Sequence, residues 1–258
     1  MEITGIFFDL YGTLLKYGDM KAAWVAWFDA LHRILSENNR LVDRQTLWEA
    51  CRGMLGEAEP PCIKDGFTVY ERRLERFFKY QSLCCNAQVV KHAATETLTA
   101  WSRYISVDPE AVSVLKALSS LYVLALVSNF DHPPHIHAVL KQAGLTRWFK
   151  SIVISGEVGT KKPDPDILLI ASRAVGLMPE KIVYVGDSRE DMEAARAAAM
   201  FGVWLENGSE AVVAGAHYER DTSPSLADAH TPRALAHAII RNLHELPRLL
   251  NGIACGSI

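Results

Sequence analysis

The chain has 258 residues, 49% hydrophobic and 22% charged, with a net charge of −3. This is an ordinary globular composition, long enough for one large or two modest cores, with no charge excess to draw nucleic acid or a membrane surface. Five cysteines, two of them the adjacent Cys84 and Cys85, lack the spacing of a disulfide framework and read as reduced thiols of a cytoplasmic protein.

The first residues run directly into a strand-like pattern, so no leader with a charged and an apolar region is expected. The longest apolar runs are strand-length, too short to span a bilayer. Asn207-Gly208-Ser209 fits a glycosylation acceptor but carries no weight without secretion.

Ile6-Phe7-Phe8 has no polar alternation, as in a strand buried on both faces of a parallel sheet. It ends at Asp9, with Gly12 following in Leu10-Tyr11-Gly12-Thr13. Open α/β sheets place their ligands at such carboxyl ends, where a carboxylate can serve as a nucleophile. Taken alone, Asp9 fits an Asx turn equally well.

From Asp19 the period becomes helical, with Trp24, Trp27, Phe28, Leu31, Ile34 and Leu35 on one stripe that Asn38-Asn39 ends. Asp43 is a candidate N-cap for a second helix, and Pro60-Pro61 breaks the chain after it. Phe67, Tyr70, Leu74, Phe77 and Phe78 mark a third helix, and a fourth runs from about Asn86 to Tyr104. Asp108-Pro109-Glu110 reads as N-cap, first helical position and acidic first turn.

Strands and helices then alternate. Strands are expected at 121–127, 151–155, 181–186 and 201–205, and helices up to Ser119 and at 133–143, 165–175 and 189–199. That alternation predicts an α/β, doubly wound parallel sheet. A polar loop around Asp221–Asp228 and a final helix from about Pro232 to Leu250, with Leu235, Ile239, Leu243 and Leu246 inward, complete the chain.

Three further stretches carry chemistry. Val123–Val127 ends in Ser128-Asn129; Lys161-Lys162-Pro163-Asp164 follows; Ile182–Val185 ends in Gly186-Asp187-Ser188 with Asp191 beyond. Nucleophile, hydroxyl, lysine and acid pair in this order resemble the four motifs of the haloacid dehalogenase (HAD) superfamily. The resemblance covers residues 2–15 and about 106–210 well. It implies a Rossmann-like core of residues 1–15 and 106–258 and a smaller α-helical cap of residues 16–105 that closes over the active site.

By the same resemblance Asp9 is the nucleophile, Ser128 and Asn129 hold the oxygens of the transferred group, and Lys162 stabilises the attacking carboxylate. Tyr11 and Thr13 line the substrate side, and Asp9, the Tyr11 carbonyl, Asp187 and Asp191 form the metal set. Three carboxylates in one pocket are costly without a cation, and Mg²⁺ suits such oxygen ligands. Asp191 also fits a capping box with Ser188. His132, His135 and His137 suggest a second metal site, but no carboxylate or cysteine spacing completes a zinc set.

One departure stands out. Most phosphatases of the superfamily carry a second Asp, the leaving-group acid, where this chain has Tyr11. A phenol with a reference pKa of about 10 is a poor substitute. The expected function is a Mg²⁺-dependent phosphatase acting on a small molecule through an aspartyl-phosphate on Asp9. The alternatives are a metal-independent 2-haloacid dehalogenase and a weakly catalytic binding homologue. Asp9–Leu14 matches the dehalogenase wording, but Gly186–Asp191 and the residues after Trp48 do not. No nucleic-acid or membrane partner is expected, and the chain is expected as a monomer or homodimer.

Overall fold

The computed structural model describes residues 2–38, 42–54, 58–60, 63, 66–206 and 231–254. A six-stranded, all-parallel sheet forms its centre, built from β1 (Gly5–Phe8), β4 (Val123–Ser128), β5 (Ser151–Ile154), β6 (Ile182–Gly186), β7 (Phe201–Leu205) and β8 (Ala238–Ile240). The spatial order is β5-β4-β1-β6-β7-β8, so β1 lies between β4 and β6. Phe8 registers opposite Leu126 on one side and Val185 on the other. Asp9 therefore emerges between the ends of the two strands that carry Ser128 and Asp187.

Strand alternation assigns the side chains to the two faces. Ile6, Phe8, Leu124 and Leu126 point to one core, under α5 (Ala111–Ser119), α6 (Pro133–Gln142) and α11 (Leu246–Ala254). Phe7, Ala125, Val127 and Tyr184 point to the other, under α8 (Asp166–Val175) and α9 (Arg189–Ala197). Helices on both faces of a parallel sheet are the doubly wound arrangement expected.

A third apolar cluster is helical. It is made by α1 (Met20–Glu37), α2 (Arg44–Met54), α3 (Val69–Tyr80) and α4 (Ala87–Ser102). Each start is fixed locally: Asp19 accepts from the Lys21 and Ala22 N–H groups at 3.0 Å, and Asn86 accepts from Val89. Asp43 accepts from Thr46, and Thr68 with Glu71 closes a full capping box. Two short strands not expected from the sequence, β2 (Leu15–Tyr17) and β3 (Ile105–Val107), pair antiparallel where the chain enters and leaves this bundle. Gly18 approaches the Tyr104 carbonyl so closely that a Cβ would lie 2.7 Å from it. Among the described residues the bundle adds no strand to the main sheet, which supports our proposal that 16–105 is a cap and 1–15 with 106–258 a core.

Three sequence expectations are corrected. The stretch 232–250 is not one helix: it divides into α10 (Pro232–Leu235), β8, a 3-10 turn and α11. Leu205 pairs with Ile240 as β8 covers the β7 edge, so Ile240 rather than Ile239 faces the core. An open parallel edge outcompeted the helical period there. Asp108 is not the N-cap of α5, because its carboxylate accepts from the Glu110 N–H at 2.7 Å and pairs with Lys16 at 2.9 Å in a preceding turn. Likewise Leu121, expected in a strand, is 74% exposed in the turn that ends α5. The expected loop at Asp221–Asp228, the Asn207 acceptor, Asn39 and Pro61 lie outside the described residues. No helix among the described residues is long and apolar enough to cross a membrane.

Candidate active site

Lys162 organises the site. A loop follows the short helix α7 (Ser155–Val158), turns at Gly159 with φ of 77°, and delivers the lysine under the ends of β1 and β6. Its ammonium donates to Asp9 Oδ1 at 2.6 Å, to Asp191 Oδ1 at 2.7 Å and to the Tyr184 hydroxyl at 3.0 Å. Lysine and both carboxylates are buried. Burial alone would strip the lysine's charge, but the two carboxylates hold its pKa well above the ordinary value.

The two partners of Lys162 differ. Asp191 sits at the first turn of α9, where Oδ2 accepts from the Ser188 N–H at 3.0 Å and hydroxyl at 2.7 Å, while Oδ1 accepts from Lys162 and from Tyr184 at 2.9 Å. Burial works to raise its pKa, but Lys162 and Ser188 bring it below the ordinary carboxylate value. Four donors fill its four lone-pair positions. Asp9 has fewer donors, Lys162 and the Leu10 N–H, and burial, opposed by Lys162 and reinforced by Asp191, pushes it up to about 6.

Asp187, half-buried at the end of β6, is the third carboxylate. Burial first, then Asp9 and Asp191, push its pKa up to about 8. Thr13 donates to its Oδ1 at 3.2 Å, and its backbone carbonyl accepts from Trp204 Nε1 at 3.1 Å. Gly12 has φ of +90°, and a Cβ there would stand 2.1 Å from Asp187 Oδ2. The glycine turn after Asp9 thus makes room for this acid. Oxygens of Asp9, Asp187 and Asp191 lie within 4.8 Å of one another. Three carboxylates against one lysine leave an excess of negative charge, which fits a divalent cation, and Asp187 with the second oxygen of Asp9 offers the open lone pairs.

The neighbouring residues separate into roles. Ser128 is buried at the end of β4. The Asn129 amide accepts from the Lys162 N–H and donates to its carbonyl, both at 2.9 Å, so it acts as a strut that locks the lysine loop to β4. Tyr11 stacks its ring on Phe130 at 5.4 Å. Burial, with Tyr17 and Asp9, raises its hydroxyl pKa far above the ordinary phenol.

A sequence profile of the haloacid dehalogenase-like hydrolases matches residues 3–199, which is most of the chain. The chain belongs to this family. The Salmonella typhimurium (strain LT2) phosphoglycolate phosphatase is 36% identical over 101 residues, 39% of this chain and 40% of that protein, so the match spans well under half of the relative's length. Among solved structures, a 2-haloacid dehalogenase from Pseudomonas syringae pv. Tomato DC3000 has a TM-score of 0.66 at 22% identity, covering 96% of this chain and 98% of that one. A HAD phosphatase from Thermococcus onnurineus has a TM-score of 0.62 at 21% identity, covering 97% and 99%. These two share the fold.

For a HAD-like hydrolase the contacts between the helical segment and the site are informative, and no local sequence pattern signals them. Arg73 on α3 pairs with Asp131 at 2.8 Å, the Tyr70 N–H donates to the Asp131 carbonyl at 3.1 Å, and Thr68 meets His132 Nδ1 at 2.8 Å. Glu59 pairs with Lys161. Lys161 directly precedes Lys162, and Asp131 lies two residues after Asn129. The three histidines do not converge: His132 meets Thr68, His135 stacks on Phe130 at 5.5 Å, and His137 pairs with Glu157 at 2.8 Å. The acidic triad is the one group with metal-ligating geometry among the described residues.

Proposed function

We propose that this protein is a Mg²⁺-dependent phosphatase of small phosphate esters that works through an aspartyl-phosphate on Asp9. The observation that carries the reading is the convergence of Asp9, Asp187 and Asp191 within 4.8 Å, beside a lysine whose charge covers only part of theirs. Asp9, Asp187 and the Tyr11 carbonyl would hold the cation, with Asp191 adding charge and fixing Lys162. A bound Mg²⁺ would neutralise charge on the phosphoryl oxygens.

The chain's own residues account for the remainder. Lys162 orients Asp9 Oδ1 and keeps it ionised near neutral pH, so that an oxygen of Asp9 can attack phosphorus. The new bond joins Asp9 to phosphorus while the ester oxygen departs with the bonding pair. Ser128 offers its hydroxyl to the phosphoryl oxygens, and water then cleaves the acyl phosphate and restores Asp9. Tyr11 supplies no acid, because its raised hydroxyl holds its proton, so the leaving oxygen relies on its own low basicity or on solvent. The phosphoglycolate phosphatase relative supports the reading, as does the lone-pair inventory of Asp187.

A panel of phosphate esters and 2-chloropropionate, assayed with Mg²⁺ and with EDTA, tests this reading. Phosphate release that depends on the metal is expected. Chloride release that survives EDTA would assign the chain to dehalogenation.

A further inference from the structure

Lys162 brings its charge to the site on a flexible four-carbon stem, with N–H donors that rotate together about the last bond. Holding such a side chain in one rotamer is entropically costly, so its partners must themselves be fixed. Three acceptors lie within hydrogen-bond reach of the ammonium: Asp9 Oδ1 at 2.6 Å, Asp191 Oδ1 at 2.7 Å and the Tyr184 hydroxyl at 3.0 Å. The Val127 carbonyl is more distant, at 3.4 Å. The ammonium's three protons therefore meet three close acceptors.

The acceptors are not equally firm. Asp9 is the group that reacts, and Asp191 opens a helix. Tyr184 sits inside β6, a strand flanked by β1 and β7, in register with Phe7 and Gly202. It is wholly buried, and its ring belongs to the apolar cluster of Phe7, Ile167, Leu168 and Met192. A ring packed in this way on an inner strand holds its hydroxyl in one place.

The bonding direction at that hydroxyl follows from its neighbours. An ammonium only donates and an ionised carboxylate only accepts, so Tyr184 accepts from Lys162 and donates to Asp191 Oδ1 at 2.9 Å. The Val127 carbonyl, 3.5 Å from the hydroxyl, is too far to compete. Lys162 donates to the same Asp191 oxygen, which closes a triangle of three bonds. With two ammonium protons committed to Asp191 and Tyr184, rotation stops and the third faces Asp9 Oδ1. Phenylalanine would fill the apolar cluster with no hydroxyl to satisfy, so burial alone gives no reason for the oxygen.

We propose that Tyr184 is a positioning residue: its hydroxyl fixes the rotation of the Lys162 ammonium and, through it, the Asp9 carboxylate that attacks the substrate. The consequence for the rate rests on the phosphatase reading, whereas the restraint on Lys162 does not.

The test uses the full chain and two variants. Tyr184→Phe keeps the ring and removes the hydroxyl. Ile182→Val, on the same strand and in the same cluster, trims buried apolar volume and serves as the structural control. Two quantities are measured: turnover of phenyl phosphate with Mg²⁺, and rotation about the Lys162 Cε–Nζ bond in the substrate-free protein, read by ¹⁵N relaxation of the ammonium. Tyr184→Phe should lower kcat about tenfold with KM within about twofold, the scale of one hydrogen bond to a charged group that serves the transition state. It should also speed the ammonium rotation by about threefold or more. Ile182→Val should leave both at the natural values. An unmoved kcat, an unmoved rotation, or equal changes in Ile182→Val would reduce Tyr184 to packing and overturn the proposal. If the natural protein turns over no phosphate ester, the phosphatase reading fails instead, and the rotation alone decides. Faster rotation confined to Tyr184→Phe then supports the restraint, and equal rates overturn it.

Discussion

Replacing Lys162 by Met should destabilise the protein strongly, and in a pH-dependent way. The ammonium is 2.6 Å from Asp9, 2.7 Å from Asp191 and buried with both. The methionine keeps most of the volume, so the loss is electrostatic rather than a cavity. Removing one member of a buried ion cluster costs about 3–5 kcal/mol, because the charges left behind have no compensation. For a chain of this size that corresponds to a melting temperature lower by roughly 6–20 °C.

The pH dependence has a definite sign. Asp9 at about 6 already lies above its reference value of 3.8, and losing Lys162 raises it further. A carboxyl raised in the folded state binds more protons there than when unfolded, so stability falls as pH rises. Asp191, held low by Lys162 and Ser188 in the natural protein, would forfeit stability that is present above its unfolded pKa. Both effects widen the deficit between about pH 4 and pH 8 and shrink it in acid. Urea denaturation at those two pH values, with and without Mg²⁺, measures it. Added Mg²⁺ should recover part of the loss. A variant within about 0.5 kcal/mol of the natural protein at pH 8, the range of ordinary surface changes, would refute the idea that Lys162 compensates buried charge.

Three further outcomes are expected. With Asp187 near 8 and Asp9 near 6, metal binding should expel a proton from Asp187, so Mg²⁺ affinity should rise about tenfold per pH unit between those two values; Asp187→Asn should abolish the slope in that window, and a titration unaltered by the substitution would remove Asp187 from the metal shell. Tyr11→Asp should restore a leaving-group acid, raising alkyl phosphate turnover more than aryl turnover by up to ~10²–10⁴ while lowering stability through lost ring contacts; parallel dependence on leaving-group pKa in both proteins would leave Tyr11 a wall and nothing more. Arg73→Met should loosen the link between α3 and Asp131 and speed hydrogen exchange at Val69–Leu74 and Asn129–His132, whereas unchanged protection would show that the ion pair does not hold the helical segment down.

The chemistry was legible in the sequence wherever it coincided with a change of local pattern. Asp9, Ser128 and Asp187 each end an uninterrupted apolar strand, so a parallel sheet placed them together once β1, β4 and β6 were recognised as neighbours. Lys162 was legible only from its place beside Pro163, and its role as bridge between Asp9 and Asp191 depends on distances no local pattern contains. The resemblance assigns Asn129 to substrate oxygens, yet in the structure its amide donates to and accepts from the Lys162 backbone. Nothing in an Asn after a Ser tells which carbonyl lies opposite it. β8 failed for the reverse reason, since Ile239, Leu243 and Leu246 satisfy a helical period while the β7 edge imposes a strand. The stacking of Tyr11 on Phe130 was invisible because the two come from distant segments.

The central claim is that Asp9 becomes phosphorylated. Quenching turnover of an aryl phosphate with borohydride reduces an aspartyl-phosphate to homoserine, and peptide sequencing by mass spectrometry locates it. Homoserine at position 9 in the presence of Mg²⁺, absent with EDTA, is the result predicted. Steady phosphate release with Asp9 intact, or homoserine at another carboxylate, would contradict the account.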